Sequence, residues 1–106
     1  AALRATEGVA DYAAAKGAII ALTRTTAKEL APYGITVNCV LPVAETRMTD
    51  ALKAFRRSSS QNDNVRFPLG RYPTAEEVAE AFVFFASDSS RAVTGQVLAV
   101  DGGLGM

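Results

Sequence analysis

An α/β fold carrying a parallel sheet is what this sequence of 106 residues predicts, and three observations carry that prediction. A long helix-favouring stretch runs straight into a short apolar run rich in β-branched residues. A second helix with an explicit start signal is followed by a second run of the same kind. The order is therefore helix, strand, irregular segment, helix, strand, the arrangement of chains in which helices cover parallel strands.

The first helix is expected from about Gly8 to Tyr33, where Ala, Leu, Lys and Glu dominate. Tyr12, Ala15, Ile19, Leu22, Thr26 and Leu30 recur at steps of three or four and define its expected apolar face. Pro32 and Gly34 supply the stop. Ile35 to Leu41 then reads as a strand buried on both faces. Beyond Pro42 the pattern weakens. Glu45 to Arg57 suits one or two short helices, and Ser58 to Asn64 is polar and loop-like, a segment expected to be mobile. Thr74 with Glu77 three residues later forms a capping box, so the second helix starts there, with Val78, Ala81, Phe82 and Phe85 as its apolar face and Ser87 to Ser90 as its end. Thr94-Gly95 leads into the second strand, Gln96 to Val100, closed by Asp101-Gly102-Gly103. Two strands with apolar faces leave edges unpaired, so further strands or a partner chain are expected to complete the sheet.

Composition narrows the function. Eleven basic and eleven acidic residues cancel, leaving no net field to attract nucleic acid or an anionic membrane. Arg47, Arg56, Arg57 and Arg66 are interleaved with Asp50 and Asp63, which reads as a solvated face. No apolar run approaches the ~20 residues of a membrane span. With one Cys and no His, neither a disulfide nor a zinc cluster is expected, Cys39 reads as a small core residue, and a reducing, cytoplasmic setting fits best. The start at Ala1-Ala2-Leu3-Arg4 carries no signal pattern and reads as a cut end. Phe82 to Phe85 exceed what one helix face buries in a monomer, which points to contact with another element or subunit.

The residues that carry chemistry are Tyr12 and Lys16. Four residues apart, they lie on one helix face within reach of one substrate. An ammonium beside a phenol stabilises the phenolate and draws the phenol down from its ordinary pKa of ~10 toward neutrality. A phenol so poised can give a proton to a carbonyl oxygen or take one from a hydroxyl. Taken alone, the spacing is equally what a half-buried Tyr beside a snorkelling Lys would show. Asn38, in a buried strand, is expected to bond neighbouring backbone rather than a ligand.

The wider pattern is more specific. Tyr12-Ala13-Ala14-Ala15-Lys16-Gly17-Ala18, then Ala27 to Ala31, then Gly34 to Asn38 resemble the active-site helix and following strand of the short-chain dehydrogenase/reductases. Pro42 with Thr46-Arg47-Met48 resembles that family's nicotinamide-holding loop. Pro68 to Arg71, Glu76 to Ala79, Thr94 to Val97 and Val100 to Gly103 resemble its C-terminal helix and last strand, in order. The resemblance covers essentially the whole chain. It implies the C-terminal part of a doubly wound, Rossmann-type domain spanning residues 1–106, with residues 45–67 as a substrate-lid-like insertion and the N-terminal nucleotide-binding half absent. It further implies hydride transfer between NAD or NADP and a small-molecule carbonyl or alcohol, with Tyr12 as general acid/base and Lys16 as its tuner and a ribose contact. Pro42, Val43, Ala44, Glu45 and Thr46 would hold the nicotinamide. Val43 replaces the family's usual Gly, and Thr46 comes one position earlier than in the commonest loop, as in a Pro-x-Ala-x-Thr-Arg-Met variant. The carbonyl-orienting Ser, thirteen residues before the Tyr in that family, would fall just upstream of Ala1. A homo-oligomer is implied, with substrate and cofactor preference unspecified and the chain alone expected to be inactive. The rival expectation is a non-catalytic, truncated assembly module pairing through its Ala-rich helix and last strand.

Overall fold

The computed structural model describes residues 10–43 and 67–106. Helix α1 spans Ala10–Leu30 and tightens into a 3-10 turn over Ala31–Tyr33. Gly34 closes it in the left-handed region at φ 71°, its N–H returning to the Ala31 carbonyl, a conformation glycine adopts without a Cβ clash. Strand β1 spans Cys39–Pro42, helix α2 Ala75–Ala86, and strand β2 Val97–Val100. The two strands pair in parallel, Cys39 with Val97 through Pro42 with Val100. The α/β class and the element order stand as expected. The short helices and polar loop expected over 45–64 lie outside the described residues, as does the arginine-bearing face.

β1 starts later than Ile35. The backbone before it is held partly by side chains: Val37 N–H donates to Thr94 Oγ1 at 3.0 Å and Asn38 Nδ2 to the Val93 carbonyl at 2.9 Å, while the Val37 carbonyl accepts from Gly95 N–H at 2.8 Å. Asn38 Oδ1 accepts from Gln96 N–H at 3.1 Å. Asn38 is thus spent on neighbouring backbone, as the sequence suggested. Only Cys39 of β1 is fully buried and the rest is half-buried, because the described residues cover the strand incompletely. In β2, Leu98 and Ala99 are exposed.

The face of α1 is the larger correction. Ile20, Thr23 and Ala27 are buried, with Lys16 and Leu30 half-buried, whereas Ala15, Ile19 and Leu22 of the expected face are exposed. Alanines surround this helix on all sides, so periodicity leaves its orientation open. Close approach decides it: a Cβ on Gly95 would stand 3.6 Å from that of Ala27, and Thr23 satisfies its hydroxyl by donating to the Ile19 carbonyl at 2.7 Å. In α2 the capping box is complete, with Thr74 Oγ1 accepting from Glu77 N–H at 3.1 Å and Glu77 Oε1 accepting from Thr74 N–H at 2.9 Å. Val78 and Ala81 are buried and Phe85 half-buried, but Phe82 is 54% exposed and does not join the apolar face it was assigned to. Val83 and Phe84 are exposed beside it. At the far end, the fully buried Ser90 hydroxyl donates to the Phe85 carbonyl at 3.0 Å and closes the helix.

Candidate active site

Helix α1 runs back along the sheet before the chain turns into β1. Its C-terminal part lies at the start of the strands, where Ala27 meets Gly95, so its first turns lie toward their C-terminal ends. From Leu30 back to Lys16 the helix rises about 21 Å, and from Ile35 forward to Pro42 an extended chain advances about 23 Å. Lys16 is therefore level with Pro42, and Tyr12 stands one turn beyond. In open parallel α/β sheets ligands bind outside the C-terminal strand ends, which is the end these residues reach.

Lys16 is half-buried on the face of α1 that packs inward. Among the described residues, nothing lies within 4 Å of where a Cβ on Gly17, beside it, would stand. The backbone of Tyr12 is helical, in the first turn of α1, and its side chain lies outside the described set. Pro42 is the last residue of β1, and its missing N–H falls on the side away from β2, since Cys39 and Val43 are the residues that donate to that strand. Val43 is then fastened by its own N–H to the Val100 carbonyl at 3.0 Å. Ala44, Glu45 and Thr46 lie outside the described residues. Counting rises along α1 and β1 thus puts Lys16 at about the level of Pro42 and Val43, toward the C-terminal end of the sheet. No group of three or more His, Cys, Asp or Glu side chains able to hold a metal occurs among the described residues, and no described helix is long and apolar enough to cross a membrane.

At the same end, Arg71 and Glu77 form a two-pronged ion pair, 2.6 Å and 2.9 Å, which spacing arguments did not single out. Hydrogen bonds from Arg71, then from the Thr74 backbone, hold the Glu77 carboxyl down at about 2, and Glu77 in turn raises Arg71. The pair borders an open depression of about 260 Å³ lined also by Leu69, Pro73, Val100 and Asp101. The pairing of Arg71 with Glu77 follows only once the turn between them is known, which is why the sequence did not disclose it.

A parallel sheet with these residues at its C-terminal end, and with helices packed on it, has counterparts in known proteins. A family model described as enoyl-(acyl carrier protein) reductase matches residues 1–105, and the chain belongs to this family of short-chain dehydrogenase/reductases. It is similar to the 3-oxoacyl-(acyl-carrier-protein) reductase of Thermotoga maritima, 48% identical over 98 residues that make up 92% of this chain and 39% of that protein. Among solved structures it is similar to an actinorhodin polyketide ketoreductase with NADPH, at TM-score 0.87 and 32% identity over 98% of this chain and 43% of that one. A putative 2-deoxy-D-gluconate 3-dehydrogenase from Agrobacterium tumefaciens with bound NADP matches at TM-score 0.85 and 37% identity, over 97% of this chain and 42% of that one. The chain spans about two fifths of the length of these relatives.

Proposed function

We propose that this chain supplies the nicotinamide side of an oxidoreductase active site, in which Tyr12 moves a proton while hydride passes between NAD or NADP and a carbonyl/hydroxyl pair. The reading is supported by family membership together with the level of Lys16 along α1, which the helix and strand rises put beside Pro42 and Val43 at the C-terminal end of the parallel sheet. The residue types suit a nicotinamide nucleotide: a lysine ammonium can donate to ribose hydroxyls, and the Val43 carbonyl can accept from a carboxamide. When bound, the nicotinamide supplies or accepts the hydride.

The chain's own residues do the rest. The Tyr12 hydroxyl gives its proton to the carbonyl oxygen in the reductive direction and takes it back in the oxidative one. The Lys16 charge favours the phenolate and so keeps that proton transferable near neutral pH. Pro42 and Val43, with Ala44, Glu45 and Thr46 following, hold the ring against the reacting carbon. Residues 45–67 select the substrate. The relatives named above include a 3-oxoacyl reductase and a sugar-acid dehydrogenase, so a keto group on a small or acyl-carried substrate is the class proposed. Strands beyond β1 and β2 complete the sheet, and exposed Ile19, Leu22, Phe82, Val83 and Phe84 support a homo-oligomer that covers them.

The test is an assay of the complete enzyme with NADPH and NADH against a 3-oxoacyl thioester and a keto sugar acid. Nicotinamide oxidation that depends on one of these ketones is expected. Binding of both cofactors with no ketone-dependent oxidation on any carbonyl tried would defeat the reading and favour a non-catalytic assembly role.

A further inference from the structure

The stretch 44–66 is entered and left at points tied to the same few residues. On entry, Val43 N–H donates to the Val100 carbonyl at 3.0 Å; on exit, Leu69 N–H donates to the Gly102 carbonyl at 3.1 Å. The exit is also packed onto that turn. Phe67 is buried at 5% exposure and lies against Tyr72, ring centres 4.5 Å apart. A Cβ on Gly102 would come within 3.0 Å of the Phe67 ring and of the Arg71 carbonyl, and one on Gly103 within 3.0 Å of Pro68. Both glycines have positive φ, 61° and 88°, so the turn is shaped for this approach and closed to side chains.

Two backbone bonds close the turn, Leu104 N–H to the Asp101 carbonyl and Met106 N–H to the Gly103 carbonyl, each 3.1 Å, and the Asp101 side chain adds two more. Its Oδ1 accepts from Gly103 N–H at 3.0 Å and its Oδ2 from Gly105 N–H at 2.9 Å. Each oxygen is used by a different amide, so the carboxylate bridges both sides of the turn, with charge-assisted bonds stronger than neutral ones. The Gly102 carbonyl that receives Leu69 lies between Asp101 and Gly103, the residue whose N–H donates to Asp101 Oδ1.

We propose that Asp101 is a positioning residue: by locking the turn 101–105 it fixes the foot at Phe67–Leu69 relative to the β2 end that holds Val43, and so sets the offset between the two ends of residues 44–66. The tether rests on these hydrogen bonds and stands whether or not Tyr12 is catalytic.

Amide hydrogen exchange, resolved to single residues, tests it on Asp101→Ala and Asp101→Asn. In Asp101→Ala, exchange at Leu69, Gly103 and Gly105 is expected to rise at least about fivefold, the scale of one lost hydrogen bond. Val43 and the capped Glu77 amide should stay within about twofold, because their acceptors, Val100 and Thr74, do not depend on the turn. Asp101→Asn retains one acceptor oxygen, so Gly103 should stay protected while Gly105 does not, and Leu69 should fall between. Wild-type exchange at Leu69 and Gly105 in both variants would overturn the proposal. So would an equal rise at Leu69, Val43 and Glu77 in both, which would make Asp101 a general stabiliser and not a local tether.

Discussion

Lys16 and Tyr12 stand one helical turn apart but are assigned different contacts, and their substitutions should separate accordingly. In the complete enzyme, Lys16→Ala is expected to weaken nicotinamide binding more than Tyr12→Phe does, because it removes a ribose contact as well as the charge beside the phenol. Calorimetric titration of both variants checks this, and equal affinities would remove the dual role of Lys16. Next to it, Gly17 lies within a helix, with nothing among the described residues within 4 Å of where a Cβ would stand. Gly17→Ala should therefore stabilise α1 by about 0.5–1 kcal/mol through reduced backbone entropy alone, measurable as a raised denaturation midpoint. A destabilised variant would mean that a neighbour fills that space. The Tyr12–Lys16 spacing could be read from sequence because it is local to one helix. The Asp101 tether could not, since it matters only when Phe67 and Pro68 arrive against Gly102 and Gly103, more than thirty residues along the chain.

At the level of elements, the same contrast recurs. The start of α2 was readable because Thr74 and Glu77 cap each other within four residues, and the structure shows both bonds. The face of α1 was not, because Ala and Ile on several sides satisfy more than one apolar stripe, and only the approach of Gly95 to Ala27 selects one. The beginning of β1 differs from the expected Ile35 for a related reason: the segment before Cys39 is largely apolar, but the Val37 N–H goes to the Thr94 side chain and the Asn38 side chain bonds Val93 and Gln96, so the regular ladder starts only at Cys39. The α2 cap also predicts a pH response. Glu77 titrates at about 2 when folded, against an ordinary 4.5, so its contribution is fully present above pH 4.5 and fades as pH falls toward 2. The helical signal of α2 should weaken over that window, and Glu77→Gln should flatten the dependence. An unchanged acid profile in that variant would show that the exposed Arg71 pair contributes nothing to the fold. Thr74→Ala should cost α2 roughly 0.5–2 kcal/mol, as loss of an N-cap does.

For the whole molecule, the question is what covers its apolar surface. Leu98 at 40%, Phe82 at 54% and Leu22 at 64% exposure are values that a finished core or assembly would reduce. Ala14 and Ala18, exposed on α1, offer small side chains that let a second helix approach. Ala14→Glu or Ala18→Glu is expected to dissociate the proposed homo-oligomer, and an unchanged sedimentation profile in both would rule out that surface. The chain alone is expected to bind neither NAD nor NADP detectably, because no Gly-rich turn opening a helix occurs in its sequence to receive a pyrophosphate; micromolar binding by the isolated chain would contradict this. The central claim, that this sheet end performs proton transfer during hydride exchange, is tested most directly by the turnover of Tyr12→Phe in the complete enzyme. The account predicts a loss of at least about 10²-fold, the usual effect of removing a general acid, with cofactor affinity retained. Turnover within a few-fold of the parent enzyme would contradict it.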